Sequence, residues 1–191
     1  INKRDLSKQL IPRVYAASRI AETHNQLLNQ NQNLNKQNKA LQDKSTIDRL
    51  TGLGNVKYGL QRLSDTLKHT SSRGGACCFL ALEISDFKQL KAKHRTPILA
   101  ELLRGIGIRL KQLLRPNDVV VRLSEDRFAI ITLHEQISDC SLPNFKRLTD
   151  AINVKPFQTS AGYINLRGAI SLVAADQQPE MPKAMEMLKL G

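Results

Sequence analysis

The chain contains no tryptophan, and aromatic residues make up only 4% of it. Lysine and arginine occur in every segment without a dense run, so a dedicated nucleic-acid surface, which interleaves basic and aromatic side chains, is not what this composition describes. Cysteine is scarce as well. Cys77, Cys78 and Cys140 form an odd set with no companion Cys or His at metal-ligand spacing, which fits a reducing, cytoplasmic compartment better than a disulfide framework. His69, His94 and His134 have no paired ligands in the sequence and read as ordinary surface residues. No stretch approaches the roughly 18 apolar residues of a membrane span, and no signal-peptide pattern opens the chain, so this piece is expected to be soluble. Acidic residues are outnumbered 17 to 29, a formal charge of +12 that favours anionic partners: nucleic acid, nucleotides or an anionic membrane face.

What is present is enough for one core plus an extra element: 191 residues, 41% of them apolar. The chain begins at Ile1 and ends at Gly191 just after a helical-looking stretch, which leads us to expect a piece of a longer protein. Residues 1–46 lack glycine, carry one proline (Pro12), and include an Asn/Gln-dominated tract from Asn25 to Asn38. Leu6, Leu10, Val14, Ala17, Ala21, Leu27, Leu34 and Leu41 recur at intervals of about three, four and seven, the seam of a helix that pairs with another helix. His24, Asn31 and Asn38 occupy the alternate seam positions. Asparagine there selects register and a parallel dimer at a cost in stability, so the expected coiled coil is weak and adjustable. The other reading of the tract is a disordered polar linker.

Residues 47–191 form the expected globular domain. The glycines of Thr51–Asn55 break the chain, and Asn55 suits the N-cap of an amphipathic helix from Val56 to His69, with Ser71–Gly75 as a loop. Ala76–Ile84, nearly all apolar, is a central strand covered on both faces. A short helix from Asp86 and a longer one from Pro97 to about Leu114 follow, the latter burying Ile98, Leu102, Ile106, Leu110 and Leu113. Two strands separated only by Ser124–Asp126 imply an antiparallel hairpin. A helix over Phe145–Ile152, strands over Phe157–Tyr163 and Leu166–Ala174, and a last helix over Pro182–Leu190 complete an α+β fold of ferredoxin-like type with a mostly antiparallel sheet.

Asp48–Asn55 reads DRLTGLGN, Leu82–Leu90 reads LEISDFKQL, and Arg115–Phe128 reads RPNDVVVRLSEDRF. In this order and at these intervals they resemble the GGDEF family of diguanylate cyclases: its Asp-x-Leu-Thr-Gly-Leu-x-Asn entrance, its Leu-Asp-Ile-Asp-x-Phe-Lys strand end, and its Arg-x-x-Asp run into the Gly-Gly-Asp/Glu-Glu-Phe hairpin. The resemblance covers about Asp48–Leu190; the family's Ala-Lys-x-x-Gly-Arg-Asn signature is absent, with MLKLG in its place. It implies the nucleotide-cyclase-like fold and a parent chemistry in which a dimer condenses two GTP molecules to cyclic di-GMP with carboxylate-held Mg²⁺. It also implies an inner-membrane parent protein whose domain faces the cytoplasm, with an EAL domain as a possible partner in the same chain.

The motif positions depart from that chemistry. Ser124 and Glu125 replace the two glycines, Asp126 keeps the third position, and Arg127 stands where a Glu is usual. A Glu125 carboxylate about 4 Å from a phosphate charge would repel it by roughly 4 kcal/mol at an effective dielectric near 20. Glu83 and Ser85 occupy the two acidic positions at the strand end; Glu83 and Asp126 remain as a possible carboxylate pair, though Mg²⁺ tolerates a longer arm poorly. Lys91, Ala92, Leu99 and Ala100 stand where the family reads guanine, and lost hydrogen-bond partners abolish such discrimination. The expectation is a catalytically inactive relay module without a cofactor, dimerised through Leu27, Asn31, Leu34, Asn38 and Leu41. Arg115 and Asp118 match the family's inhibitory product site, which makes a cyclic-di-GMP receptor the alternative, although Arg-Pro-Asn-Asp is equally a good turn. Arg122 matches a family arginine, and its residue type also suits the solvent face of a strand. A basic adaptor for RNA is the third possibility.

Overall fold

The computed structural model describes residues 18–37 and 45–176, and the chain divides into two compact units, residues 1–45 and 46–191. In the first unit, residues 18–37 form a helix, α1, in agreement with the leucine spacing. Its seam residues Leu27 and Leu34 are 53% and 55% exposed. Asn38, Leu41 and the seam positions Leu6, Leu10, Val14 and Ala17 lie outside the described residues, as does the expected helix over Pro182–Leu190.

In the second unit the elements follow in the order α2 (Val56–Arg73), β1 (Ala76–Ile84), α3 (Phe87–Lys93), α4 (Thr96–Leu113), β2 (Val119–Arg122), β3 (Arg127–His134), α5 (Lys146–Asn153), β4 (Phe157–Thr159), β5 (Gly162–Ile164) and β6 (Gly168–Ala175). The sheet runs β2-β3-β1-β6, every neighbouring pair antiparallel, which is the expected α+β ferredoxin-like arrangement. β1 sits inside the sheet and is buried along nearly its whole length, as its unbroken apolar run requires. One face packs on α4 and α5 through Leu80, Leu82, Leu102, Ile106 and Leu148; the other packs on α2 through Phe79, Val121, Leu63 and Leu67.

Two expectations need correction. α2 runs on to Arg73, past the expected end at His69: Ser72 Oγ bonds back to Lys68 and His69 carbonyls, and the helix stops only at Gly74, whose φ of 89° suits glycine. The single strand expected over Phe157–Tyr163 is a hairpin of two short strands outside the main sheet, because Ser160 and Ala161 turn and Gly162 takes a φ of 99°. Glu101 of α4 holds that turn, its carboxylate accepting from Ser160 N–H at 2.7 Å and Ser160 Oγ at 3.0 Å.

Candidate functional site

The entrance to the domain is a tight turn stitched to β2. Asp48 Oδ1 accepts hydrogen bonds from Thr51 N–H (2.8 Å) and Thr51 Oγ1 (2.6 Å), and Gly52, at φ 66°, closes the turn onto Asp48 O. Gly54 donates to Val120 O and accepts from Arg122 N–H, so this segment pairs with the strand that leads into the hairpin. A side chain at Gly54 would strike Tyr58 and Val121. Burial pushes the Asp48 carboxyl up, but the Thr51 bonds and the Arg122 charge outweigh it and hold the group below the usual aspartate value.

Arg122 is not on a solvent face. Its side chain is 11% exposed, Nη1 lies 3.4 Å from both Asp48 oxygens, and Nη2 donates to Glu125 O at 3.3 Å. It ties the entrance turn to the β2–β3 hairpin across 74 residues of sequence. The sequence carries no local signal for this pairing, since both partners sit in separate motifs.

The residues at the hairpin and the end of β1 come together, but not as a carboxylate pair. Glu83 and Arg127 are register partners on β1 and β3, and Arg127 Nη2 reaches Glu83 Oε2 at 2.8 Å. Asp126 accepts instead from Ser124 Oγ at 2.7 Å, while its carbonyl accepts from Ile84 N–H. Lys91 of α3 reaches over to the hairpin, its Nζ donating to Glu125 Oε2 at 2.7 Å. Leu99 is buried in the core, and Ala92 is exposed on α3. Ser85 N–H bonds to Arg167 O. Among the described residues, no group of three or more His, Cys, Asp or Glu side chains is placed to hold a metal ion.

Arg115 and Asp118 lie at the opposite end of the sheet, where Ala76 pairs with His134, not Glu83 with Arg127. Asp118 Oδ2 accepts from Arg115 N–H at 2.8 Å, and Asp118 N–H donates to Arg115 O at 3.0 Å, so the turn reading of this tetrapeptide is realised. The same two residues line a cavity of about 1070 Å³ together with His69, Arg73, His134 and Arg147. None of those four was singled out as a ligand-site residue from the sequence, and the two histidines are not ordinary surface residues. His69 Nδ1 is buried without a hydrogen-bond partner, and His134 contacts Thr132 Oγ1 at 2.9 Å and packs edge-on against Phe145.

The cysteines are structural: all three are buried, and burial raises Cys77 to about 12 and pushes Cys78 and Cys140 up as well. No helix among the described residues is long and apolar enough to cross a membrane.

A family model for the diguanylate cyclase GGDEF domain matches residues 45–186. The response regulator PleD of Caulobacter vibrioides is 26% identical over 140 residues, 72% of this chain but only 31% of PleD, so the chain spans less than a third of that relative. Among solved structures, the GGDEF domain of FimX from Pseudomonas aeruginosa superposes with a TM-score of 0.68 at 15% identity, covering 76% of this chain and 88% of that one. The coiled coil and GGDEF domain of DgcB from Caulobacter crescentus, in complex with c-di-GMP, superposes with a TM-score of 0.66 at 14% identity over 91% of this chain and 88% of that one. At these identities the structural likeness speaks for the fold.

Proposed function

We propose that this chain, which belongs to the GGDEF domain family, is a non-catalytic module of cyclic-di-GMP signalling that relays a conformational or oligomeric signal instead of condensing GTP. The observation that carries the reading is the pairing of substituted motif residues with one another: Glu83 with Arg127, and Lys91 with Glu125. Family members use the strand-end and hairpin acids for Mg²⁺, which stabilises charge on the transferring phosphoryl groups. Here Glu83 is engaged by a guanidinium, Ser85 is neutral and Asp126 is turned to Ser124, a donor set that does not fit a hard cation requiring several unpaired oxygens. Lys91 and Glu125 span the path a nucleotide would take, one at a guanine-reading position and the other at a phosphate-loop position. No step of phosphoryl transfer is derived for this domain. α1 supplies dimerisation with a second copy through the Leu27 and Leu34 stripe, with Asn31 setting the register. The experiment is incubation of the chain with GTP and Mg²⁺ at concentrations that saturate active family members. No cyclic di-GMP is expected; product formation at any rate above a heat-inactivated control would refute the reading.

A second reading is favoured by the larger cavity. Arg115 and Asp118 line it with Arg73 and Arg147, and arginine forks pair bidentately with phosphate. The structural relative DgcB is described in complex with c-di-GMP. On this reading the module receives cyclic di-GMP without making it. Micromolar binding of cyclic di-GMP that disappears in Arg115→Ala supports it, and flat calorimetry of the unaltered chain ends it.

A further inference from the structure

The Arg115–Asp118 turn is a wall shared by two cavities. The second, of about 610 Å³, opens on the other side, between the entrance turn, α2 and the start of β2. That volume lies in the range of sites that enclose small organic ligands. Its charged lining is three cations, Arg62 of α2, Lys111 of α4 and Arg115, against the single carboxylate of Asp118. One oxygen of that carboxylate is already committed to Arg115 N–H at 2.8 Å, which weakens its competition for the cations. The ion pairs among the described residues are Lys91–Glu125, Arg122–Asp48 and Arg127–Glu83, and none engages the guanidinium of Arg62 or Arg115. Lys111 Nζ is anchored by donating to Gly52 O at 3.0 Å, which leaves further ammonium protons to donate. Tyr58, Leu114 and Val119 complete the lining with apolar surface.

We infer that this smaller cavity is a binding site for a phosphate-bearing small molecule of mononucleotide size, separate from the larger cavity of Arg73 and Arg147. Two guanidinium groups with no ion pair among the described residues and an anchored ammonium converge on one space, and planar guanidinium forks match phosphate oxygens in a way scattered surface lysines do not. The apolar lining accepts the organic part of such a ligand. Gly52 and Gly54 belong to the same wall, so an occupant rests against the turn through which the chain enters the domain and holds that turn closed. Occupancy of this site is thereby linked to the stability of the entrance, as any ligand that binds one state of a segment must be.

The test is calorimetric titration of the 191-residue chain with inorganic pyrophosphate and, separately, with guanosine monophosphate. Saturable binding of at least one probe is expected, and tighter binding of the nucleotide identifies a site that uses its apolar wall. Arg62→Ala should weaken that binding about tenfold, the loss of one charge-assisted contact. Lys111→Ala should do the same, and Arg147→Ala should leave it unchanged. Arg62 is exposed on α2, and circular dichroism confirms that its variant folds. No binding of either probe, indifference to both Arg62→Ala and Lys111→Ala, or equal sensitivity to Arg147→Ala overturns the inference. Cyclic di-GMP binding, or GTP turnover, does not enter the outcome, so the site stands or falls apart from either reading of the domain's function.

Discussion

Glu83 on β1 and Arg127 on β3 are register partners whose side chains meet at 2.8 Å, at two positions where the family's motifs carry acids. Replacing one acid with a cation converts a repelling pair of carboxylates into a neutral contact on a half-exposed surface. Such a pair adds little to stability, about 0–1 kcal/mol. On the proposed reading, the pair matters because it occupies the Glu83 carboxylate.

On the proposed non-catalytic reading, restoring the hairpin glycines alone should not produce diguanylate cyclase activity. Ser124→Gly/Glu125→Gly removes the Glu125 contact with Lys91 but leaves Glu83 paired with Arg127 and no guanine reader at Lys91, Ala92, Leu99 or Ala100. Chromatography after incubation with GTP and Mg²⁺ should show no cyclic di-GMP, and the melting temperature should change by only a few degrees, since the Lys91–Glu125 pair is 58% and 69% exposed.

Gly54→Ala should destabilise the second unit by about 1–3 kcal/mol, the cost of overpacking. Its Cβ would lie 2.4 Å from Tyr58 Cδ1 and 2.8 Å from Val121 Cγ1, and Val121 is fully buried in β2. Urea denaturation measures the loss; an unchanged midpoint would mean that the entrance turn separates from β2 without consequence.

Acid should loosen the entrance. The folded state holds the Asp48 carboxyl below its usual value of 3.8, so Asp48 contributes stability that is present above that value and is lost as pH falls through the lower folded one. In a series of urea midpoints against pH, Asp48→Asn should flatten this part of the curve. It should also lower the plateau near neutrality, because the largely shielded Arg122 guanidinium loses its counter-charge.

Arg109 is a clamp whose removal should cost about 2–3 kcal/mol. Its guanidinium donates to the carbonyls of Ala151, Lys155 and Pro156 at 2.6–2.8 Å and lies 3.5 Å over the Phe157 ring, closing the end of α5. Arg109→Lys should recover only part of the loss measured for Arg109→Ala, because a single ammonium cannot reproduce a planar fork and stack on the ring.

Leu34→Asp should abolish self-association through α1 while leaving the second unit folded. Leu34 is 55% exposed in the single chain and gains burial only against another helix. Sedimentation equilibrium of the two proteins distinguishes the cases; a monomeric unaltered chain would remove the dimer from the proposal.

The order of elements as far as α5, the buried central strand, the antiparallel hairpin and the Asn55 cap were legible in the sequence because each rests on local chemistry. Alternation, apolar runs, glycines and capping side chains act within a few residues, and Asn55 Oδ1 does accept from Tyr58 N–H at 3.0 Å. The substitutions at Glu83, Ser124, Glu125 and Arg127 were legible for the same reason, as residue types at fixed places in a motif. What those residues do to each other was decided by the tertiary structure alone. Lys91 meets Glu125 across 34 residues, Arg122 meets Asp48 across 74, and Arg73 and Arg147 reach one cavity from different helices. Pairings of that kind depend on which strands become neighbours and on which side of the sheet each helix returns. Nothing in the few residues around a charge specifies its partner until the whole chain has closed.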